Sequence, residues 1–264
     1  MVVLITGISS GFGLETARLL AQEGHTVYGT VRRDVEQLPG VHYLKVDVRD
    51  REAVQSAVQQ VVDQEGRIDV LINNAGMGIG GPVEFATEEE IREQMDANFM
   101  GLVHFVTAVL PFMRKQGEGK IIAMSSIGGV MGLPFQGFYS ASKFAIEGYC
   151  EALRLEIQQF GIQVVVVRPG DFSTGFTASR KKTPNPEAMK AYQTYAESMN
   201  KVEHDETGGL KPQVLARKIS QIIRKKRPCH GYVVASFEQR LSVLLKHILP
   251  ARWFAKILGS YYKL

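Results

Sequence analysis

Short apolar runs alternate with segments of helical periodicity through the first two thirds of the chain. Residues 2–5, VVLI, form a fully apolar run of the kind expected for a parallel strand buried on both faces. A glycine turn follows, and 14–23 then places Ala17, Leu20 and Ala21 on one helical face. Runs at 25–31, 43–46, 70–72, 120–124 and 163–167 read as further strands. Between them, 50–64 aligns Val54, Ala57, Val58 and Val61 behind an N-capping Asp50, 88–113 holds one or two helices, and 138–160 holds another. Six strand–helix alternations predict an α/β fold built on a doubly wound parallel sheet, with ligands at the carboxyl ends of its strands.

The rhythm breaks after residue 172. The stretch 172–209 contains Arg180-Lys181-Lys182-Thr183-Pro184-Asn185-Pro186 and then a helix-like pattern over 187–199. A helix is expected at 212–227, its basic end at Arg224-Lys225-Lys226-Arg227 complementing the helix dipole. An edge strand follows at 231–235. Leu241, Leu244, Leu245, Ile248 and Leu249 then recur at helical spacing. After Pro250 come Trp253, Phe254, Ile257, Leu258 and Tyr261, with Arg240, Lys246, Arg252, Lys256 and Lys263 interleaved. This C-terminal amphipathic extension, 236–264, either packs on the body as a cap over an apolar substrate entrance or makes peripheral membrane contact at an interface. Packing is the favoured outcome, and both point to an apolar small-molecule substrate.

A chain of 264 residues with 45% hydrophobic content suits one large domain, 1–264, with the extension attached. The net charge of +4 is mild and gathered toward the C-terminus, and no recognition motif accompanies it, so nucleic-acid binding is excluded as a function. Cys150 and Cys229 are the two cysteines, and Cys150 falls inside a helical pattern. A disulfide framework is therefore not expected, and a reducing, cytoplasmic location is. No metal-binding pattern is present. The first residues lack the basic start and longer apolar segment of a secretory signal, and no run of eighteen apolar residues predicts a spanning helix.

Candidate chemistry sits at the predicted strand ends. Thr6-Gly7-Ile8-Ser9-Ser10-Gly11-Phe12-Gly13 lies between a strand and a helix, the context a dinucleotide fingerprint requires. Its glycines let the backbone turn tightly under a pyrophosphate at the helix start. Arg32 and Arg33 end the second strand, where an NAD site usually carries an acid. Guanidinium groups grip a 2′-phosphate, so NADP(H) is the expected cofactor. Asp47 and Val48 end the third strand, with Asp47 able to accept from an adenine amino group. Asn73-Asn74-Ala75-Gly76 closes the fourth. Asn98 stands inside a helical pattern, where asparagine is a poor helix former. Tyr139 and Lys143 are one helical turn apart, and an ammonium beside a phenol favours the phenolate. Ser126, thirteen residues before the tyrosine, can bring a second hydroxyl to the same substrate oxygen. Such a Tyr–Lys pair alone is more often surface decoration; its pairing with a dinucleotide turn gives it chemical meaning.

Taken in order, Thr6-Gly7-x-x-x-Gly11-x-Gly13, Asp47, Asn73-Asn74-Ala75-Gly76, Asn98, Ser126, Tyr139-x-x-x-Lys143 and Pro169-Gly170-x-x-x-Thr174 resemble the motifs of the short-chain dehydrogenase/reductase family over about residues 2–175. The resemblance implies a Rossmann-type fold and a catalytic tetrad of Asn98, Ser126, Tyr139 and Lys143. In that reading Tyr139 is the acid or base and Ser126 polarises the substrate oxygen. Lys143 lowers the tyrosine pKa and holds the nicotinamide ribose, Asn98 anchors a relay water, and Thr174 binds the carboxamide. Phe172 departs from the smaller aliphatic residue more usual there. The resemblance also implies a variable substrate lid at 172–209, in which Tyr192, Tyr195 and Met199 either face the pocket or pack on the body, and a homodimer or homotetramer. The tail is similar to that of members acting on steroids, retinoids or keto lipids. The expected function is hydride transfer between NADP(H) and a ketone or secondary alcohol on a hydrophobic molecule. The alternative is a non-catalytic dinucleotide-binding redox sensor or scaffold, for which an intact Tyr139–Lys143 pair has no purpose.

Overall fold

The computed structural model describes residues 1–182 and 185–264. Its elements begin with β1 (Val2–Ile5), α1 (Gly11–Gln22), β2 (Thr26–Val31), β3 (Val41–Lys45), α2 (Arg51–Glu65), β4 (Val70–Asn73) and β5 (Ile79–Gly80). They continue with α3 (Glu88–Met95), α4 (Gly101–Gln116), β6 (Gly119–Met124), α5 (Gly137–Ile157), β7 (Ile162–Pro169), α6 (Phe176–Ser179), β8 (Lys181–Lys182) and α7 (Pro186–Ala191). The last are α8 (Tyr195–Thr207), α9 (Pro212–Arg224), β9 (Gly231–Val234), α10 (Phe237–Ile248) and α11 (Ala251–Tyr261). Seven strands pair in the order β3-β2-β1-β4-β6-β7-β9, every pairing parallel, so the predicted doubly wound sheet and its parallel edge strand are both present.

The apolar runs are strands because neither face meets water. Val54 and Val58 of α2, Phe105 and Val109 of α4 and Ile146 of α5 cover one face. Ala17 and Leu20 of α1 with Leu215 and Ile219 of α9 cover the other. The direction of winding reverses between β1 and β4, which leaves a crevice above their carboxyl ends where such sheets hold ligands.

Several elements differ from the sequence reading in ways that have physical causes. The continuous helical stretch Glu88–Gln116 is long and apolar enough, by length and composition, to cross a membrane. It packs as a core helix, with Phe105, Val106, Val109 and Met113 fully buried. Asp96–Met100 within it is π-helical, an insertion that places Asn98 inward. The pattern over 187–199 is two helices, α7 and α8, because the chain leaves the helix around Tyr192, whose hydroxyl donates to Glu84 at 2.7 Å. The helix expected to run to residue 227 stops at Arg224. Its last carbonyls, Ile222 and Ile223, and that of Lys225 instead receive the buried ammonium of Lys120, at 3.3, 2.8 and 2.9 Å. A buried cation from β6 thus caps the negative end of α9.

Candidate active site

A cleft of about 840 Å³ runs across the carboxyl ends of the strands. At its floor the glycine turn is tied to the end of β4. Thr6 Oγ1 accepts from the backbone of Asn74 and Ala75, both at 2.9 Å, and Asn74 Nδ2 donates to the carbonyls of Thr6 and Gly7 at 3.0 and 2.9 Å. Gly13 is needed because a Cβ there would lie 2.2 Å from the Gly7 carbonyl oxygen and 2.6 Å from Asn74 Nδ2. Gly7, at φ +71°, turns against Ala75. Ser10, the N-cap of α1, makes no side-chain bond to the helix amides, so the positive start of α1 faces the cleft without a competing acceptor. This cradle fits the pyrophosphate of a dinucleotide.

The reactive end lies where β6 runs out. Ser125 keeps register with β7 through a 2.8 Å bond to the Val167 carbonyl. Ser126 then caps a short 3-10 turn, its Oγ accepting from Gly128 N at 3.0 Å. Gly128 and Gly129 let that turn pass close to α5: a Cβ at Gly129 would meet Ser125 Oγ at 2.4 Å. Tyr139 and Lys143 project from the first turns of α5. Lys143 Nζ lies 5.7 Å from the Tyr139 ring centroid and donates to the Met124 carbonyl at 2.9 Å. Burial raises the Tyr139 phenol above its usual value, the reverse of the lowering expected from Lys143, and it is a hydrogen bond with Ser126 that pulls in the opposite direction. Burial lowers Lys143 to about 8, countered by Glu147 one turn further along.

Most of the residues marked by sequence meet in this one cleft. Gly7, Ser9, Ser10, Gly11, Phe12, Arg32, Asp47, Val48, Asn74, Ala75, Gly76, Ser126, Tyr139, Lys143, Pro169, Gly170 and Thr174 all line it. Gly13 lies beneath the turn, and Arg33 is exposed and outside the lining. The Asp47 carboxylate is engaged by Arg49 at 2.6 Å and held below the usual carboxylate range by that hydrogen bond. Arg49 itself lines the cleft. Asn98 stands behind the site. Its Oδ1 accepts from Met77 N at 2.8 Å, and its Nδ2 donates to the Met77 carbonyl and to Ser142 Oγ, both at 3.0 Å. Ser142 in turn donates to the Tyr139 carbonyl at 2.7 Å, so Asn98 fixes the loop under the cleft to the helix that carries the phenol. Thr174 Oγ1 accepts from Phe176 N at 3.2 Å, and Phe172 is buried edge-on against Phe12, centroids 4.9 Å apart.

Sequence reasoning missed a second set. Gln94 shares the work of Asn98, donating to the Met77 carbonyl at 2.7 Å and accepting from Ile79 N at 2.8 Å. Asp171 follows the Pro-Gly pair and exchanges two bonds with Gln239 of α10, at 3.1 and 2.6 Å. Burial and the nearby Glu206 and Asp205 push its carboxyl up to about 6. On the substrate side, Tyr195 and Met199 are buried with Phe135 in a cluster of their own and do not line the cleft, nor does Tyr192. Phe176, Thr177, Val202 and Glu206 line it instead. Glu206 pairs with the buried Arg180. The C-terminal helices close the far wall with Phe254, Leu258 and Tyr262.

Comparison with known proteins places the chain in a family. The family model for short chain dehydrogenases matches residues 1–185. A 3-ketodihydrosphingosine reductase of Bacteroides thetaiotaomicron is 48% identical over 262 residues, spanning 99% of this chain and 97% of its own. A short-chain dehydrogenase from Streptomyces avermitilis superposes with a TM-score of 0.81 at 28% identity, covering 99% of this chain and 96% of its own. The closed form of a serine dehydrogenase complexed with NADP+ superposes at 0.75 with 25% identity, covering 90% and 96%. With its parallel sheet, its glycine turn and the Ser126, Tyr139 and Lys143 side chains gathered at one cleft, the chain belongs to the short-chain dehydrogenase family of oxidoreductases.

Proposed function

We propose that the protein reduces a ketone carried on a hydrophobic molecule, with NADPH as the reductant and a keto lipid as the preferred substrate class. The observation that carries this reading is the placement of two hydroxyls, Ser126 and Tyr139, beside the Lys143 ammonium in a cleft whose far wall is Phe254, Leu258 and Met131. The 3-ketodihydrosphingosine reductase similar to it along nearly all of its length supports the substrate class.

The glycine turn at the start of α1 and Lys143 would hold NADPH, which when bound would supply the hydride for the carbonyl carbon. The chain's own residues hold and protonate the oxygen. A phenol raised by burial keeps its proton at neutral pH, the state in which a reduction begins. The Ser126 hydroxyl, aimed by Gly128 N, polarises the same oxygen, and two preorganised donors favour the developing alkoxide over the ketone. Tyr139 then gives its proton to that oxygen: the C=O π bond is lost, one C–H and one O–H bond form, and the product is a secondary alcohol. The phenolate left on Tyr139 is stabilised by Lys143, 5.7 Å from the ring centroid. Asn98 and Ser142 keep α5 in position throughout.

The preference for NADP rests on Arg32, which lines the cleft just past β2. Its guanidinium, which has no ion-pair partner among the described residues, suits a 2′-phosphate, while Arg49 is engaged on Asp47 and offsets the repulsion that carboxylate would exert. Exposed Met100, Phe144 and Leu155 on the outer faces of α5 and the helical stretch before β6 suit pairing with a second copy, which supports a homodimer or homotetramer. The test is a panel of apolar ketones followed by NADPH absorbance. Tyr139→Phe should abolish the rate while leaving NADPH binding intact. A Phe variant that keeps its rate removes Tyr139 from the reaction. Arg32→Ala should narrow the preference for NADPH over NADH, and an unchanged preference rejects the phosphate grip.

A further inference from the structure

Helices α10 and α11 carry two apolar faces. The inner one closes the cleft through Phe254, Leu258 and Tyr262. The outer one has no partner among the described residues. Phe237, Leu241, Leu244 and Ile248 recur along one side of α10 and are 42% to 70% exposed, and Trp253 on α11 is 68% exposed. Ile257 and Tyr261 belong to both faces: they line the cleft, yet are 49% and 45% exposed. The mouth of the cleft is therefore rimmed by the outer apolar face.

Charge says what covers it. Of 31 Lys and Arg and 27 Asp and Glu in the chain, five and one fall in 236–264, leaving 26 of each sign elsewhere. The two helices themselves hold four of those five cations and the one acid, a net of +3 out of the chain's +4; the fifth, Lys263, lies just past α11 and pairs with Glu197. Arg240, Arg252 and Lys256 are exposed and, among the described residues, have no carboxylate partner. A second copy seated on this face would oppose these cations to their own duplicates, with Glu238 as the one acid present. An anionic surface neutralises them instead. Apolar residues with an exposed tryptophan, flanked by cations on a helix pair, have the composition of an element lying at the boundary between headgroups and acyl chains.

We propose that the outer face of α10 and α11 docks on a bilayer containing anionic lipid, and that an apolar substrate passes from the bilayer into the cleft past Ile257 and Tyr261. The docking stands on the surface alone; the entry route rests on the reductase reading above.

Flotation with vesicles of phosphatidylcholine, alone or with about 30% phosphatidylglycerol, tests it on the full chain. The protein should float with the anionic vesicles and at least tenfold less with the neutral ones. Replacing Arg240, Arg252 and Lys256 by Gln should weaken binding roughly fivefold per cation. Leu244→Ser with Ile248→Ser and Trp253→Ser should weaken it at least tenfold, and all three are outside the cleft lining. Circular dichroism and sizing check that both variants keep their fold and mass. Wild-type protein that stays unbound with anionic vesicles overturns docking, as does an apolar variant that floats unchanged. A lower assembly mass in the apolar variant also overturns it, by assigning the face to a second copy. For the route, the apolar variant should reduce a short, water-soluble ketone at the wild-type rate and a long-chain ketone in vesicles several-fold more slowly; equal loss on both overturns the route. Failure of the reductase reading looks different: wild type would turn over neither ketone while still floating.

Discussion

Asp171 allows a stability measurement that checks the electrostatics of the cleft. Burial, with Glu206 and Asp205 close by, raises its carboxyl from 3.8 to about 6. A raised carboxyl means that the folded state binds the proton more tightly than the unfolded one. The resulting destabilisation is absent well below pH 4, grows as the unfolded chain ionises, and is complete once pH passes about 6. At about 1.4 kcal/mol per unit, the full cost is about 3 kcal/mol above pH 7, and about a third of that at pH 4.5. Solvent reaching the partly buried carboxylate reduces both figures, so roughly 1 to 3 kcal/mol is the expected range near neutrality. Asp171→Asn removes the charge and keeps an oxygen to accept from Gln239 Nε2, now at 2.6 Å from the carboxylate. The variant should therefore melt higher than wild type at pH 7.5, by roughly 2 to 8 °C for a chain of this size. At pH 4.5 the gain should shrink to about a third. Calorimetry or circular dichroism at the two pH values decides it. A variant that melts lower at pH 7.5, or gains equally at both, shows that the carboxylate is stabilised by Gln239 more than it is penalised by burial and its acidic neighbours.

Gly13→Ala places a Cβ 2.2 Å from the Gly7 carbonyl oxygen, so the turn must shift. NADPH affinity should fall at least tenfold and stability by about 1 to 3 kcal/mol, both read from a cofactor titration and a melt. Because burial lowers Lys143 to about 8, its ammonium discharges as pH rises through that value. Affinity for the anionic cofactor should decline between pH 7 and 9, and Lys143→Met should flatten the profile. Gln94→Ala removes one of the two donors to the Met77 carbonyl and takes away the acceptor of the Ile79 amide. It should cost about 1 to 3 kcal/mol in a denaturant melt and lower kcat more than it raises KM, since the loop under the reacting centre loosens.

Local patterns were enough to find the seven strands of the main sheet, though not the two-residue strands β5 and β8, and with them the glycine turn and the Tyr139–Lys143 pair, because each is written in residues that are neighbours in the chain or one helical turn apart. The same locality explains the misses. Gln94 carries no helical or motif signal distinguishing it from any other polar residue of α3, and its value appears only when Met77 and Ile79 fold against it. Asp171 and Gln239 lie 68 residues apart and meet through the return of the chain from β9 into α10. Tyr192, Tyr195 and Met199 have a spacing that reads alike whether they face the pocket or the body; Phe135, brought in from the loop before α5, settles the matter by supplying the ring they pack on. Asn98 was visible as an odd residue in a helix, but the π-helical turn that directs it to Met77 and Ser142 was not.

The smallest sheet in the molecule constrains how the cleft can open. Ile79 and Gly80 pair with Lys181 and Lys182, and Lys181 N donates to the Gly78 carbonyl at 3.0 Å, so the segment after α6 is stitched to the loop at the residue next to Met77. Peeling that segment away would pull on the loop that Gln94 and Asn98 secure. The segment's other end is held as well: Ser173 N donates to the Leu210 carbonyl at 2.9 Å, and Thr177 Oγ1 donates to Glu206 of α8 at 2.5 Å. Held on both sides, the stretch from Phe172 to Lys182 can shift only together with α8, so loosening Glu206 should free it sooner than any change at Gly175.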